Sequence, residues 1–321
     1  MIKGGGSMDP LIPFEPISAS HIPVEGDWAF QVKWDGVRIL VYKSGAETEV
    51  INRHLNNRTL QYPELVETKS YSKEDSFILD GEVIALVNGK PSFHEVMKRD
   101  RLRGKEAIEL MRDEVPIIYM VFDCLYMNGL SLMDKPLHER QQMLRSIIKE
   151  TEHIRITENF DEGDGLLRAV KEQGLEGIVC KDLNSCYLPG GKDPRWQKIK
   201  NYLDVIAVVC GFIKQGTRIR SLLLGLYGED NKLYYIGKAG RGRYSDKEWQ
   251  TIQEYLERAE QPNSPYDHPH KEARDCQWLS PIYTVKIQFL EWTASKTLRQ
   301  PVLDSFVERK PLECRFEKGE R

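Results

Sequence analysis

Lys33-Trp34-Asp35-Gly36 sets an amine two residues from a carboxylate, beside a turn-forming dipeptide. A lysine amine attacks phosphorus only when neutral, and partial burial, neighbouring cations or a bound metal all favour that form. Alone, the tetrapeptide reads better as an exposed lysine beside a turn-forming Asp-Gly. Groups of matching chemistry recur down the chain, however. Glu82 follows a second Asp-Gly in Leu79-Asp80-Gly81-Glu82, and Phe122-Asp123 ends an apolar strand pattern. Glu176 and Lys181 frame a short apolar strand, and Trp196-Gln197-Lys198-Ile199-Lys200 sets two lysines on one side of another. Each has a plain structural reading: Phe122 as core, Glu176 as a helix-end charge, Lys198 and Lys200 as an exposed strand face. Together they describe a site for nucleotidyl transfer. Lys33 is the nucleophile with Asp35 beside it, and the hard carboxylates Glu82 and Glu176 suit Mg²⁺, with Mn²⁺ as a substitute. Lys181, Lys198 and Lys200 can hold the transferring phosphate, and the Phe122 ring can stack on a purine.

The elements around these residues follow from periodicity. "FQVKWDGVRIL" (30–40) alternates on either side of Asp35-Gly36, predicting a strand, a tight turn and a second strand. Further strands are predicted at 77–87, 116–129 and 177–181, with helices at 135–150 and 163–174, the latter stopped by Gly174. The character changes near Tyr202. Strands at 204–213, 221–228, 232–240 and 282–292 surround a helix at 246–260 that opens on the capping-box pattern Ser245-Asp246-Lys247-Glu248. The expected fold is α+β. A domain of mostly antiparallel sheets with flanking helices spans 8–201, and a small barrel of the oligonucleotide-binding type spans 202–321. Residues 1–7, "MIKGGGS", read as a leader or expression scar.

Charged residues make up 30% of the 321 positions, mean hydropathy is −0.51, and no apolar run is long enough for a membrane helix. A soluble, monomeric, cytoplasmic protein is expected. The six cysteines show no metal-like spacing. A net charge of −3 argues against nonspecific coating of nucleic acid. Local basic stretches at 97–105, 214–220 and 237–243 nevertheless nominate Arg99, Arg101, Arg103, Lys214, Arg218, Arg241 and Arg243 as phosphate contacts.

The ordered set KWDG, NRHLNNRT, LDGE, VFD, EGIVCK and WQKIK resembles the motifs of covalent nucleotidyltransferases, and specifically of ATP-dependent DNA ligases. "YYIGKAGRGRYSD" and "FLEWTASKTLRQPVLDSFVERKP" are similar to the barrel domain of bacterial end-joining ligases. The resemblance covers nearly the whole chain from about residue 10. It implies an adenylation domain followed by an OB-fold domain, ATP as AMP donor, Mg²⁺, and nicked duplex DNA as substrate, with a DNA-end-binding repair protein as a partner. Lys33 corresponds to the residue that takes AMP, and Arg38 and Arg53 to arginines around the ribose and the DNA-bound phosphate. Glu82 matches the ribose and metal carboxylate, Phe122 the adenine-stacking ring and Glu176 a metal carboxylate. Lys181, Lys198 and Lys200 match phosphate-binding lysines.

Two departures stand out. Family members carry glutamate where this chain has Gln31, near the adenine amino group; a neutral amide can still hydrogen-bond there. Near the C-terminus, Val307-Glu308-Arg309-Lys310 replaces an Arg-Glu-Asp-Lys type sequence. That displaces the arginine expected to orient pyrophosphate and leaves Arg309, Arg299 or Lys310 as stand-ins. Two other readings share part of the pattern. An RNA ligase or capping guanylyltransferase would differ in base and acceptor, and a non-catalytic nucleic-acid-binding protein would carry no covalent nucleotide on Lys33.

Overall fold

Two β-sheets pack across a shared apolar layer in the first part of the chain, and the segment holding Lys33 and Asp35 crosses from one to the other. The structure, a computed structural model, describes residues 8–267 and 276–316, so the expected leader at 1–7 lies outside the described residues. The chain divides between Asn201 and Tyr202 into two units. The first contains β1 (Ile17–Ser18), β2 (Trp28–Val32), β3 (Val37–Ser44), β4 (Glu47–Asn52), β5 (Ser76–Val87), β6 (Lys90–Pro91), β7 (Ile117–Met127), β8 (Leu130–Ser131), β9 (Ile154–Ile156), β10 (Gly177–Asp182) and β11 (Trp196–Lys200). Helices α1 (Pro63–Val66), α2 (Phe93–Asp100), α3 (Lys105–Glu114), α4 (Leu137–Ile147) and α5 (Gly163–Glu172) lie between them.

One sheet has the order β1-β11-β10-β2. The other runs β4-β3-β5-β7-β8, with β6 on β5 and β9 on β7. The predicted strand–turn–strand at Asp35-Gly36 is therefore not a hairpin, because β2 pairs with β10 while β3 pairs with β4 and β5. Burial decides this against turn propensity. Phe30 of β2 packs with Ile178, Cys180 and Ile199 against Leu166 and Val170 of α5. Ile39 and Val41 of β3 join a different core with Leu79, Val83, Val121 and Leu144. Gly36 permits the crossing, since a side-chain carbon there would come 2.1 Å from the Val83 carbonyl oxygen. Between the sheets, Trp196 meets Phe122 edge-on at 6.0 Å and Phe14 at 5.3 Å. Such contacts each add about 0.5–1.5 kcal/mol beyond burial.

The second unit contains β12 (Leu203–Gln215), β13 (Arg218–Tyr227), β14 (Leu233–Ala239), α6 (Asp246–Glu257), β15 (Glu260–Gln261), β16 (Gln277–Leu279), β17 (Thr284–Phe289) and β18 (Val302–Val307). β12 pairs with both β13 and β17, β13 with β14, and β17 with β18. A parallel bridge from Gly240 to Val302 joins the end of β14 to β18 and completes the ring. Five strands closed in this order, with a helix between the third and fourth, form an oligonucleotide-binding barrel. The capping box forms as read: Ser245 accepts from the Glu248 N–H while Glu248 accepts from the Ser245 N–H. The helix stops at Glu257 and not at the expected 260, because Glu260-Gln261 pairs with β16.

Candidate active site

β2, β10 and β11 lie in antiparallel register, so residues from three distant stretches stand in rows. The Lys33 N–H donates to the Gly177 carbonyl at 2.9 Å, and Gly177 faces Lys200. The next row on the same face is Gln31, Val179 and Lys198; the one beyond is Ala29, Lys181 and Trp196. The opposite face carries Phe30, Ile178, Cys180 and Ile199, buried against α5. Strand alternation thus puts every chemically interesting residue of this sheet on one side. Gly177 has φ +150°, and a Cβ there would meet the Ile199 carbonyl at 2.2 Å. Glycine at that point lets Glu176 turn in at the end of the sheet.

Glu176 bridges two of the lysines. Its Oε2 accepts from Lys33 Nζ at 2.5 Å, and its Oε1 lies 3.8 Å from Lys200 Nζ. Partial burial lowers the affinity of Lys198 for its proton, and the neighbouring Lys33 cation lowers it further. From β5, Glu82 faces this group; burial pushes its carboxyl up to about 7, reinforced by Glu176 and Asp35 and opposed by Lys33 and Arg38. Lys33, Asp35, Glu82, Glu176, Lys198 and Lys200 therefore form one electrostatically coupled cluster, as their types suggested. Among the described residues no three His, Cys, Asp or Glu side chains gather to hold a metal. Glu82 and Glu176, the carboxylates expected to serve a metal, are both hard oxygen ligands of the kind Mg²⁺ takes.

Phe122 occupies a bulge. β5 and β7 pair Asp80 with Asp123 and Gly81 with Val121, leaving Phe122 as the extra residue, which turns its ring into the space between the sheets. Arg38 lies over that ring at 4.6 Å. Its guanidinium is gripped by Asp80 through two 2.7 Å hydrogen bonds, and Tyr187 donates to Asp80 at 2.7 Å. Burial alone would lower the Arg38 pKa, but the charge and hydrogen bonds of Asp80 outweigh it and raise it. Asp80, Val179 and Tyr187 were not picked out from sequence. Asp80 and Val179 lay inside quoted motifs, and counting alternate positions from Glu82 and Lys181 would have put both on the site faces.

Three expectations need correction or relocation. Lys181 does not stand with the phosphate-facing lysines. It is 2% exposed, with its amine 3.8 Å from the Phe122 ring centre and 4.0 Å from that of Trp196, and among the described residues it has no hydrogen-bond partner. Burial brings its pKa down to about 7. Arg99 is no surface contact for nucleic acid. It is wholly buried, donates to the Gln61 and Val115 carbonyls, and pairs with Glu64. It lies on the inward side of α2, where its neighbours Arg101 and Arg103 are exposed. Arg53 is exposed on the loop after β4, where among the described residues it meets its neighbour His54. In the second unit, Lys214 pairs with Glu257 at 2.8 Å and both Arg218 and Arg241 turn to Asp246, while Arg243 is exposed.

The model of the ATP dependent DNA ligase domain matches residues 17–200, and that of the ATP dependent DNA ligase C terminal region matches residues 215–310. The chain belongs to the ATP-dependent DNA ligase family. Its first unit is the adenylation domain of that family and its second the C-terminal domain. It is 34% identical over 257 residues to a DNA ligase of Methanopyrus kandleri, covering 73% of this chain and 46% of that one. To the multifunctional non-homologous end joining DNA repair protein LigD of Mycobacterium tuberculosis it is 28% identical over 298 residues, covering 89% and 37%. The solved ligase domain of M. tuberculosis LigD matches at 25% identity with a TM-score of 0.53, over 96% of this chain and 98% of that domain. The chain spans less than half the length of the curated relatives it matches.

Proposed function

We propose that the chain seals nicks between a 5′-phosphate and a 3′-hydroxyl in duplex DNA, using ATP. The observation that carries this is the shared face of β2, β10 and β11, where Lys33 is held by Glu176 and flanked by Lys198 and Lys200. Lys33 Nζ attacks the α-phosphorus of ATP. A P–N bond forms, the bond to the oxygen bridging toward the β-phosphate breaks, and pyrophosphate leaves. The amine proton departs by way of Glu176 to solvent. An oxygen of the DNA 5′-phosphate then attacks the same phosphorus, the P–N bond breaks, and Lys33 regains a proton. Attack by the 3′-hydroxyl on the activated 5′-phosphate closes the strand, releasing AMP and a proton.

Lys198 and Lys200 supply positive charge beside the Lys33 amine, where phosphate charge develops. Val179 is the half-buried apolar surface available to a base, backed by Phe122, which lies buried against Arg38 and Lys181. Glu82 and Glu176 would hold Mg²⁺, or Mn²⁺ in its place, with water and phosphate oxygens completing the shell. When bound, such an ion neutralises phosphate charge in an in-line displacement. The DNA contacts this reading favours are Arg53, Arg101, Arg103 and Arg243, which are exposed. The likeness to an end-joining repair protein supports a role in DNA repair, with a DNA-end-binding partner.

The test is a labelled duplex with a single nick, incubated with the chain, ATP and Mg²⁺. Sealed full-length strand is expected from the 5′-phosphorylated nick and none from the same nick lacking phosphate. Absence of sealing on both, including when the phosphate is supplied already adenylated, would overturn the proposal.

A further inference from the structure

Three side-chain amides, two buried and the middle one half-buried, form a line beside the nucleotide end of the site. Gln31, 2% exposed, donates from Nε2 to Asn159 Oδ1 at 2.7 Å. Asn159 Nδ2 donates to Gln141 Oε1 at 2.6 Å, and Gln141 Nε2 points at both the Phe122 carbonyl (3.5 Å) and Asn159 Oδ1 (3.4 Å). Asn159 is held in place by its neighbour, since Phe160 exchanges two backbone hydrogen bonds with Phe30, at 2.8 and 3.0 Å.

The polarity of this line is set at one end. A backbone carbonyl can only accept, so the Phe122 carbonyl requires the Gln141 amide nitrogen. The Gln141 oxygen then faces Asn159 and requires its nitrogen, which leaves the Asn159 oxygen for Gln31 and requires the Gln31 nitrogen. Gln31 thus has one of its two amide N–H groups engaged, and among the described residues its carbonyl oxygen is left over. Reversing Gln31 would set two amide oxygens against each other, and reversing all three would set the Gln141 oxygen against the Phe122 carbonyl. An unmatched buried polar contact of this kind is costly.

Gln31 stands one row from Lys33 on the same face, about 7 Å along the strand, beside Val179 and toward Phe122. With the α-phosphorus at Lys33 as proposed above, the half-buried Val179 and the amide of Gln31 in the next row are the surfaces that a base would meet. At the 6-position adenine offers an amine donor and guanine a carbonyl acceptor. An oxygen fixed there accepts from adenine and opposes guanine. Resting on the function proposed above, we infer that Asn159 and Gln141 are positioning residues. They hold the Gln31 amide with its oxygen toward the base and so set the preference for ATP over GTP.

The experiment is the rate of covalent nucleotide uptake, read by intact mass, for the wild type, Asn159→Leu, Asn159→Asp and Gln141→Met, each with ATP or GTP and Mg²⁺. Asn159→Leu frees the Gln31 amide to turn, and the ATP-to-GTP rate ratio is expected to fall by about tenfold or more, the worth of one hydrogen bond. The GTP rate should hold or rise, which a general loss of structure would not produce. Asn159→Asp keeps an acceptor for Gln31, with Gln141 turning its amide nitrogen to the new carboxylate, and should retain the ratio. Gln141→Met should lower it and decides the matter if Asn159→Leu does not fold. An unchanged ratio in the Leu and Met variants, or an equal fall in the Asp variant, overturns the inference while leaving the adenylation chemistry intact. No uptake of either nucleotide by the wild type overturns the adenylation reading, and this inference with it.

Discussion

Along residues 97–105 the cations are neighbours in sequence and part company in space, whereas Lys33 lies far in sequence from Lys198 and Lys200 and finishes on one sheet face with them. The helix end turns Arg99 inward to Glu64 and leaves Arg101 and Arg103 outside. Strand alternation does the reverse, gathering lysines from β10 and β11 beside the end of β2. Charge density along a chain is therefore a poor guide to a charged site, and the parity of strand positions is a better one. Lys181 marks the boundary between the two cases. It shares the face of the site lysines yet sits deep enough, against Phe122 and Trp196, to lose its proton near neutrality.

The comparison breaks first at Arg99. If it is a buried structural cation, Arg99→Ala leaves the buried Glu64 carboxylate with only the longer 3.6 Å pairing to Arg112 and should cost about 3–5 kcal/mol in chemical denaturation. A loss of under about 0.5 kcal/mol would return Arg99 to the surface. Lys181 sharpens the contrast within one face. Its folded pKa of about 7 lies below the unfolded value of about 10.4. Between these the unfolded chain binds the extra proton, so this side chain's contribution to stability rises with pH. Relative to Lys181→Met, the wild type should gain about 2–3 kcal/mol from pH 7 to pH 9. Parallel stability curves for the two would show that the amine is solvated. The smallest effect belongs to the outer arginines. Arg101→Ala with Arg103→Ala should leave stability within about 0.5 kcal/mol. The slope of log affinity for nicked DNA against log salt should become less steep by about 2; an unchanged slope removes both from the interface.

Much of this was legible in the sequence, for identifiable reasons. The strands at 77–87, 116–129 and 177–181 emerged from apolar patterning, and Lys33, Glu82, Glu176, Lys198 and Lys200 from charges set against such strands. Long-range choices were not legible. Nothing local tells Asp35-Gly36 to cross between sheets; that follows from Phe30 and Ile39 belonging to separate cores. Arg99 looks like its neighbours until Glu64 is brought beside it, and Gln141 and Asn159 look like ordinary polar residues until the Phe30–Phe160 pairing sets Asn159 against Gln31.

The central claim is that the face shared by β2, β10 and β11 carries the covalent nucleotide, at Lys33. Its most direct test is peptide-level mass spectrometry of the chain after incubation with ATP and Mg²⁺, beside a Lys33→Ala variant. The account predicts one AMP, located on Lys33 and absent from the variant. AMP on Lys198 or Lys200, or label that survives Lys33→Ala, would contradict it.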